Sequence, residues 1–164
     1  MLKHLCKFML IAGLITALSG CLSLGHLNYK QARMLKKQGF TLTEEGWTLR
    51  LPEKLLFGFD QSDIQASQKP ALEALSKQLQ QYNLNKIKVV GHTDNRPIKA
   101  LSIQSNLELS KLRARHVADM MAQYLSPSKI SVIGRGDMQP IMPNDTLENR
   151  AKNRRVEVTV TSLK

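Results

Sequence analysis

Cysteine is nearly absent from this chain, aromatics are sparse, and acids are heavily outnumbered. The two cysteines, Cys6 and Cys21, both lie near the start. The rest of the chain therefore has no thiol to pair or oxidise, which suits an oxidising compartment without calling for a disulfide. One Trp, three Tyr and four Phe cannot build the stacking array used on single-stranded nucleic acid, so nucleic acid is not an expected partner. Thirteen Asp and Glu face 24 Lys and Arg, for a net charge of +11. Such a surface favours anionic glycans or lipopolysaccharide. No apolar run reaches the ~20 residues that span a bilayer. There is no internal repeat or low-complexity stretch, and the length suits one domain plus a linker.

What is present begins with a leader. Lys3, His4 and Lys7 precede an uncharged apolar run, Phe8 to Leu18, the pattern of a secretory signal. It ends in Leu18-Ser19-Gly20-Cys21, which resembles a bacterial lipobox. The resemblance implies that residues 1–20 are removed and Cys21 is lipidated; the alternative is an ordinary signal with Cys21 there by chance. Two glyceride chains and an N-acyl chain, at ~0.8 kcal/mol per buried CH₂, would make a permanent anchor. Leu22 stands where an aspartate would favour inner-membrane retention, so the expected location is the outer membrane, with the domain facing the periplasm. Loss of Lys3 and Lys7 leaves a charge of +9. Residues 21–45 are expected to form a partly helical tether, with Leu27, Ala32 and Leu35 on one side and Gly39 as the stop. The ~20 residues from Leu22 to about Phe40 reach up to ~65 Å if extended, and less if helical.

Residues 46–164 alternate strand and helix patterns. Trp47, Leu49 and Leu51 alternate with Thr48 and Arg50 up to Pro52, a half-buried strand. Leu55 to Phe59 is a further apolar stretch. Pro70 opens a helix carrying Leu72, Leu75, Leu79 and Tyr82 at helical spacing. Ile87, Val89 and Gly91 read as a strand. Ser105 and Glu108 frame a capping box for a helix with Leu109, Leu112, Val117, Met120 and Tyr124 on its apolar face. Ile130 to Ile133 and Val156, Val158, Val160 supply two more strands. The fold class is an α/β sandwich, a mixed sheet with helices packed on one face.

Asp94 follows the strand IKVVGHT, and Arg113 lies four residues after Leu109, at the edge of that helix's buried face. A guanidinium fork takes a carboxylate in two parallel hydrogen bonds, and a carboxylate takes an ammonium. Together the pair suits a zwitterionic end group. Arg154 shares a strand face with Val156 and should point towards the helix layer; Arg155 then pairs with Glu157 on the other face, in solvent. His92 and Asp94 share a strand face but have no third ligand or nucleophile in spacing, so neither a metal nor a cofactor is expected. His116 reads as a packed or surface residue, and Ser110 has no partnered base. The chain is not expected to be an enzyme.

Several separated motifs carry a resemblance. Thr93-Asp94, Asn106, Leu109-Ser110-Lys111-Leu112-Arg113-Ala114 and Asn153-Arg154-Arg155-Val156 occur in the order found in the peptidoglycan-binding domain of the OmpA, Pal and MotB proteins, and Phe59-Asp60-Gln61-Ser62-Asp63-Ile64 resembles that family's pocket loop. The resemblance spans roughly Trp47 to Lys164. It implies an OmpA-C-like fold in which Asp94 and Arg113 hold the diaminopimelate of a stem peptide. Phe59, Asp60, Ile64, Thr93, Asn106, Leu109 and Arg154 would complete the site. Two departures stand out: the segment Asn95–Ser105 is longer than in Pal and has a MotB-like NRPI, and Asn149 replaces the usual Gly before Arg150, a turn that Asn tolerates.

The resemblance implies a lipoprotein tethering the outer membrane to peptidoglycan. A second implication comes from Gly39-Phe40, Glu45-Gly46-Trp47 and Leu55-Leu56-Phe57-Gly58, which resemble the opening segment of YfiB-type lipoproteins. Those sequester a periplasmic repressor of a diguanylate cyclase, so a periplasmic protein partner is also expected on that reading. A third is a wall-anchored component of a secretion-system core.

Overall fold

Three valines on the last strand organise the architecture. The structure, a computed structural model, describes residues 27–58, 61–98 and 103–161. In chain order these form α1 (Tyr29–Lys37), β1 (Thr41–Thr43), β2 (Gly46–Pro52), α2 (Glu53–Leu56), α3 (Lys69–Gln81), β3 (Ile87–His92), α4 (Asn106–Met121), a short 3-10 turn, β4 (Ile130–Gly134), α5 (Leu147–Asn153) and β5 (Arg155–Val160). The strands make one sheet in the order β1-β2-β5-β3-β4. Only the β3–β4 pair is parallel. Val156, Val158 and Val160 register with Leu51, Leu49 and Trp47 on β2, and with Gly91, Val89 and Ile87 on β3. Alternation collects these on one face. Helices α1, α3 and α4 cover it, adding Leu35, Leu72, Leu75, Leu79, Val117 and Met121 to a single core. The expected mixed sheet with helices on one face is the fold observed.

Helix α4 starts at the expected cap. Ser105 accepts the Glu108 N–H at 3.1 Å, while the Glu108 carboxylate takes the Gln104 N–H at 2.8 Å rather than that of Ser105. The buried stripe is rotated from the expected one: it is Leu109, Ser110, Arg113, Ala114, Val117, Ala118 and Met121, with Leu112, Met120 and Tyr124 half-buried beside it. Small residues draw the helix onto the glycines of β3 and β4. A Cβ on Gly91 would sit 1.9 Å from the Ser110 carbonyl oxygen, and one on Gly134 2.7 Å from that of Leu107. This close seat turns Arg113 inward.

The segment expected as a tether is helical, but from Tyr29 on it packs onto the domain. Asn28 and Gln31 form a complete capping box, the Gln31 amide donates to the Tyr82 carbonyl at 2.9 Å, and Ala32, Leu35 and Phe40 are buried. Lys36 lies over the Trp47 ring at 5.9 Å, and β1 adds an edge strand to β2. A stretched spacer can thus come only from residues before this helix. After Pro52 the chain turns into the four-residue helix α2 instead of continuing as a strand, and Phe57 bridges to Ile64.

Candidate ligand-binding site

Two acids and three arginines meet where β3 ends and β5 begins, on the helix side. Asp94 follows β3 by two residues and is 4 % exposed. Its carboxylate accepts from the Arg96 main chain at 3.0 Å and side chain at 3.1 Å, and from Arg154 Nη1 at 2.7 Å. Burial pushes the Asp94 pKa up, but the bonds from Arg154 and Arg96 outweigh it and hold it below the ordinary value. Arg154 is likewise opposed by burial and favoured by Asp94 and Glu53, with a net upward shift. Arg113 is 2 % exposed. It donates to the Gln61 carbonyl through Nε at 3.1 Å and Nη2 at 2.9 Å, lies over the Phe57 ring at 5.2 Å, and pairs through Nη2 with Glu53 Oε1 at 2.5 Å. The other Glu53 oxygen takes Arg154 Nε. The charges therefore run in sequence, Arg113, Glu53, Arg154, Asp94, Arg96. Each bond is charge-assisted and stronger than a neutral one.

The remaining expected residues surround this chain. Asn106 Nδ2 donates to the carbonyls of Asp94 at 3.2 Å and Arg96 at 3.1 Å, fixing the turn after β3. Ile64 and Leu109 are buried. The Thr93 hydroxyl is buried without a protein hydrogen-bond partner, which leaves it to a water or a ligand. Phe59, Asp60 and Cys21 lie outside the described residues. Arg154 is the C-cap of α5 rather than a strand residue, yet it points to the helix side as expected. Asn149 lies within α5 and accepts no left-handed turn: its N–H donates to Thr146 Oγ1 at 3.1 Å, so the departure from Gly costs nothing.

Two expectations change. His92 and Asp94 do not share a face as alternation predicts, because β3 ends at His92: the ring lies towards Glu157, while the Asp94 carboxylate turns to Arg154. Arg155 and Glu157 pair at 2.9 Å, but Arg155 is 5 % exposed rather than solvated. It also donates to the carbonyls of Asn153 and Gln139, because the chain after β4 folds over that end of the sheet. His116 is half-buried, within the expectation of a packed or surface residue; its Nδ1 lies 2.6 Å from the Ser62 carbonyl, so α4 grips the loop at Gln61 and Ser62 with two side chains, Arg113 and His116. Sequence reading missed Glu53 and Arg96. Glu53 comes directly after the proline that ends β2, where the apolar pattern stops. Arg96 lies in the longer segment after Asp94. Among the described residues no group of His, Cys, Asp and Glu could hold a metal ion, and no helix is long and apolar enough to cross a membrane.

A mixed sheet with helices on one face and a cluster of alternating charges beyond the β3 end place the chain in the class of OmpA/MotB-type domains. Residues 56–154 match the OmpA family, and the chain belongs to that family. It is similar over most of its length to the outer-membrane lipoprotein YfiB of Pseudomonas aeruginosa, being 31% identical over 151 residues that cover 90% of this chain and 88% of the relative. Among solved structures, the periplasmic domain of Helicobacter pylori MotB superposes with a TM-score of 0.70 at 33% identity, covering 76% of this chain and 82% of that one. The cell wall anchor of the type VI secretion system of Pseudomonas aeruginosa gives a TM-score of 0.69 at 30% identity, covering 80% and 94%.

Proposed function

We propose that this protein is an outer-membrane lipoprotein, anchored through Cys21, whose OmpA-family domain binds peptidoglycan non-covalently and ties the membrane to the wall. The observation that carries the reading is the convergence of Asp94 and Arg113, joined by Glu53 and Arg154, beside the unpartnered hydroxyl of Thr93. A diaminopimelate end group would place its ammonium against Asp94 and its carboxylate against Arg113, with Thr93 supplying a further polar contact. Phe59, Asp60, Ile64, Asn106, Leu109 and Arg154 line or support this pocket on the same reading. Support also comes from two similar proteins, an outer-membrane lipoprotein and a cell wall anchor.

The test is co-sedimentation of the full-length protein, in detergent, with purified peptidoglycan at low and high salt, beside Asp94→Ala and Arg113→Ala. Retention of the wild type in high salt with loss of both variants is expected. Equal binding by all three, washed off by salt, would mean that net positive charge alone holds the protein, since exposed charges are screened; the pocket reading then fails.

A second reading, a regulatory lipoprotein that captures a periplasmic protein, is favoured by one feature. The similarity to YfiB covers nearly the whole chain, and the segment from Gly39 to Phe57 presents the edge strand β1 with Leu42 exposed and Leu55 exposed on α2. Capture of a single periplasmic protein, abolished by Leu42→Asp with wall retention intact, is the expected result on that reading.

A further inference from the structure

The pocket already contains an acid that does what a ligand's carboxylate would do. Glu53 places one oxygen on Arg113, the guanidinium assigned above to the ligand's carboxylate, and the other on Arg154. It does so from a four-residue helix whose first N–H is fixed to the Arg154 carbonyl at 3.0 Å. Its side chain keeps some access to solvent, 16 %, against 3 % for that of Arg113. The backbone of Glu53 is thus held beside the site while its carboxylate has an exit to water. At the other pole Arg96, half exposed, occupies Asp94, as a ligand cation would. We propose that Glu53 is an internal competitor for the ligand's carboxylate and so sets both the affinity and the selectivity of the pocket. The inference rests on the peptidoglycan reading of this site and extends it.

The physical consequence follows from electroneutrality and mass action. With Glu53 seated, Arg113 has an anionic partner and burial of its charge is compensated. A ligand carboxylate gains only the difference between its own bonds and those of Glu53, and its apparent affinity is reduced by the fraction of molecules in which Glu53 has swung out. A ligand lacking a carboxylate at that position cannot make the exchange and is refused. Glu53 therefore makes the pocket weaker and more selective for an acid than two uncommitted arginines would be. Removing the competitor must tighten binding of a carboxylate ligand while leaving an amidated one nearly unchanged.

The experiment measures dissociation constants by calorimetry for full-length protein in detergent. The probes are the tripeptide L-Ala–γ-D-Glu–meso-diaminopimelate and the same peptide with its diaminopimelate carboxyls amidated. Wild type, Glu53→Gln, Glu53→Ala and Asp94→Asn are compared. Both Glu53 variants are expected to bind the acid about tenfold tighter, which corresponds to Glu53 being displaced in roughly a tenth of wild-type molecules, and to bind the amide as the wild type does. Equal tightening for both peptides, or no tightening, overturns the proposal. So does weaker binding or loss of folding in both Glu53 variants, because Glu53 would then be a positioning residue for the arginines. If Asp94→Asn binds the acid as well as the wild type does, the pocket itself is misassigned. If Asp94→Asn weakens binding and the Glu53 variants do not tighten it, only the competitor role falls.

Discussion

Asp94 and His92 are two residues apart, and Arg154 and Arg155 are adjacent, yet the two pairs meet opposite fates. On the helix side, Asp94 and Arg154 join a line of alternating charges that ends at the half-exposed Arg96. On the other side, His92 and Arg155 are sealed beside Glu157, and both His92 ring nitrogens are buried without a hydrogen bond. The groups are similar but their exits differ. The helix-side acids can trade protein partners for a ligand's, because Glu53 and Arg96 retain solvent. In the opposite cluster Glu157 also has an outer partner, the half-exposed Arg50, but His92 and Arg155 are buried and Arg155 is held by the Asn153 and Gln139 carbonyls, so those two groups hold the fold. Ion pairs become a binding site when the partners can be exchanged, and a structural clasp when they cannot.

The closed side should respond most to losing a charge. Arg155→Ala leaves Glu157 with only the half-exposed Arg50 as a cation partner and removes the buried donors to the Asn153 and Gln139 carbonyls. A loss of about 3–5 kcal/mol in urea-unfolding stability is expected, with wall retention per folded molecule unchanged; a loss under about 1 kcal/mol would show the cluster to be solvated after all. On the open side, Asp94→Asn should invert this pattern. Wall retention is expected to fall about 10- to 100-fold, the worth of one charge-assisted bond to a ligand cation, with a smaller loss of stability than Arg155→Ala produces. Loss of stability without loss of retention would erase the distinction between the faces.

The sequence made the sheet and the poles of the site legible through different signals. Valines alternating on the last strand fixed which face is apolar, and that parity placed Arg154 towards the pocket. Parity could not say whether Arg155 is wet or dry, because that depends on the chain after β4 returning over the sheet to offer Gln139. Helical spacing placed Leu109 and Val117 correctly. It put Leu112 and Met120 at the centre of the buried stripe because spacing weighs hydrophobicity and ignores size: the helix is seated by Ser110 and Ala114 against Gly91. Glu53 was illegible, since nothing local distinguishes it from any acid after a strand. Its role appears only when α2 brings it between arginines 60 and more positions away.

A pH series separates the two faces more gently. Burial, then the nearby Arg155, lowers the His92 pKa to about 4, against smaller opposing effects of Glu157 and Glu45 and a further lowering by Arg135. The folded state thus favours the neutral ring. Its stabilisation is complete above the usual 6.5 and is lost as pH falls from there through about 4. The Glu157 carboxylate, 3.8 Å from His92 Nε2, offsets part of the cost of protonation, which keeps the effect below that of Arg155→Ala. Asp94 is lowered in the fold, so its contribution persists above its ordinary 3.8 and disappears only below that value. Urea midpoints of the wild type should therefore decline between pH 6.5 and 4, while wall retention holds. His92→Leu should flatten the decline. An unchanged slope in the variant would assign the acid sensitivity to other groups.

The smallest expected effect tests how the open side keeps its shape. His116 Nδ1 is 2.6 Å from the Ser62 carbonyl, one helical turn beyond the Arg113 grip on Gln61. With a carbonyl as partner the nitrogen must donate, so the bond exists in the Nδ1–H tautomer and in the protonated ring alike. His116→Ala removes one hydrogen bond, worth about 0.5–1.5 kcal/mol. It should loosen the loop without unfolding the domain: faster amide exchange at Gln61 to Ile64, wall retention reduced a few-fold, and the unfolding midpoint shifted slightly. His116→Asn, whose amide nitrogen can reach the same carbonyl, should restore most of the retention. If His116→Ala leaves both exchange and retention untouched, Arg113 alone fixes the loop, and the exchangeable face depends on fewer restraints than the geometry implies.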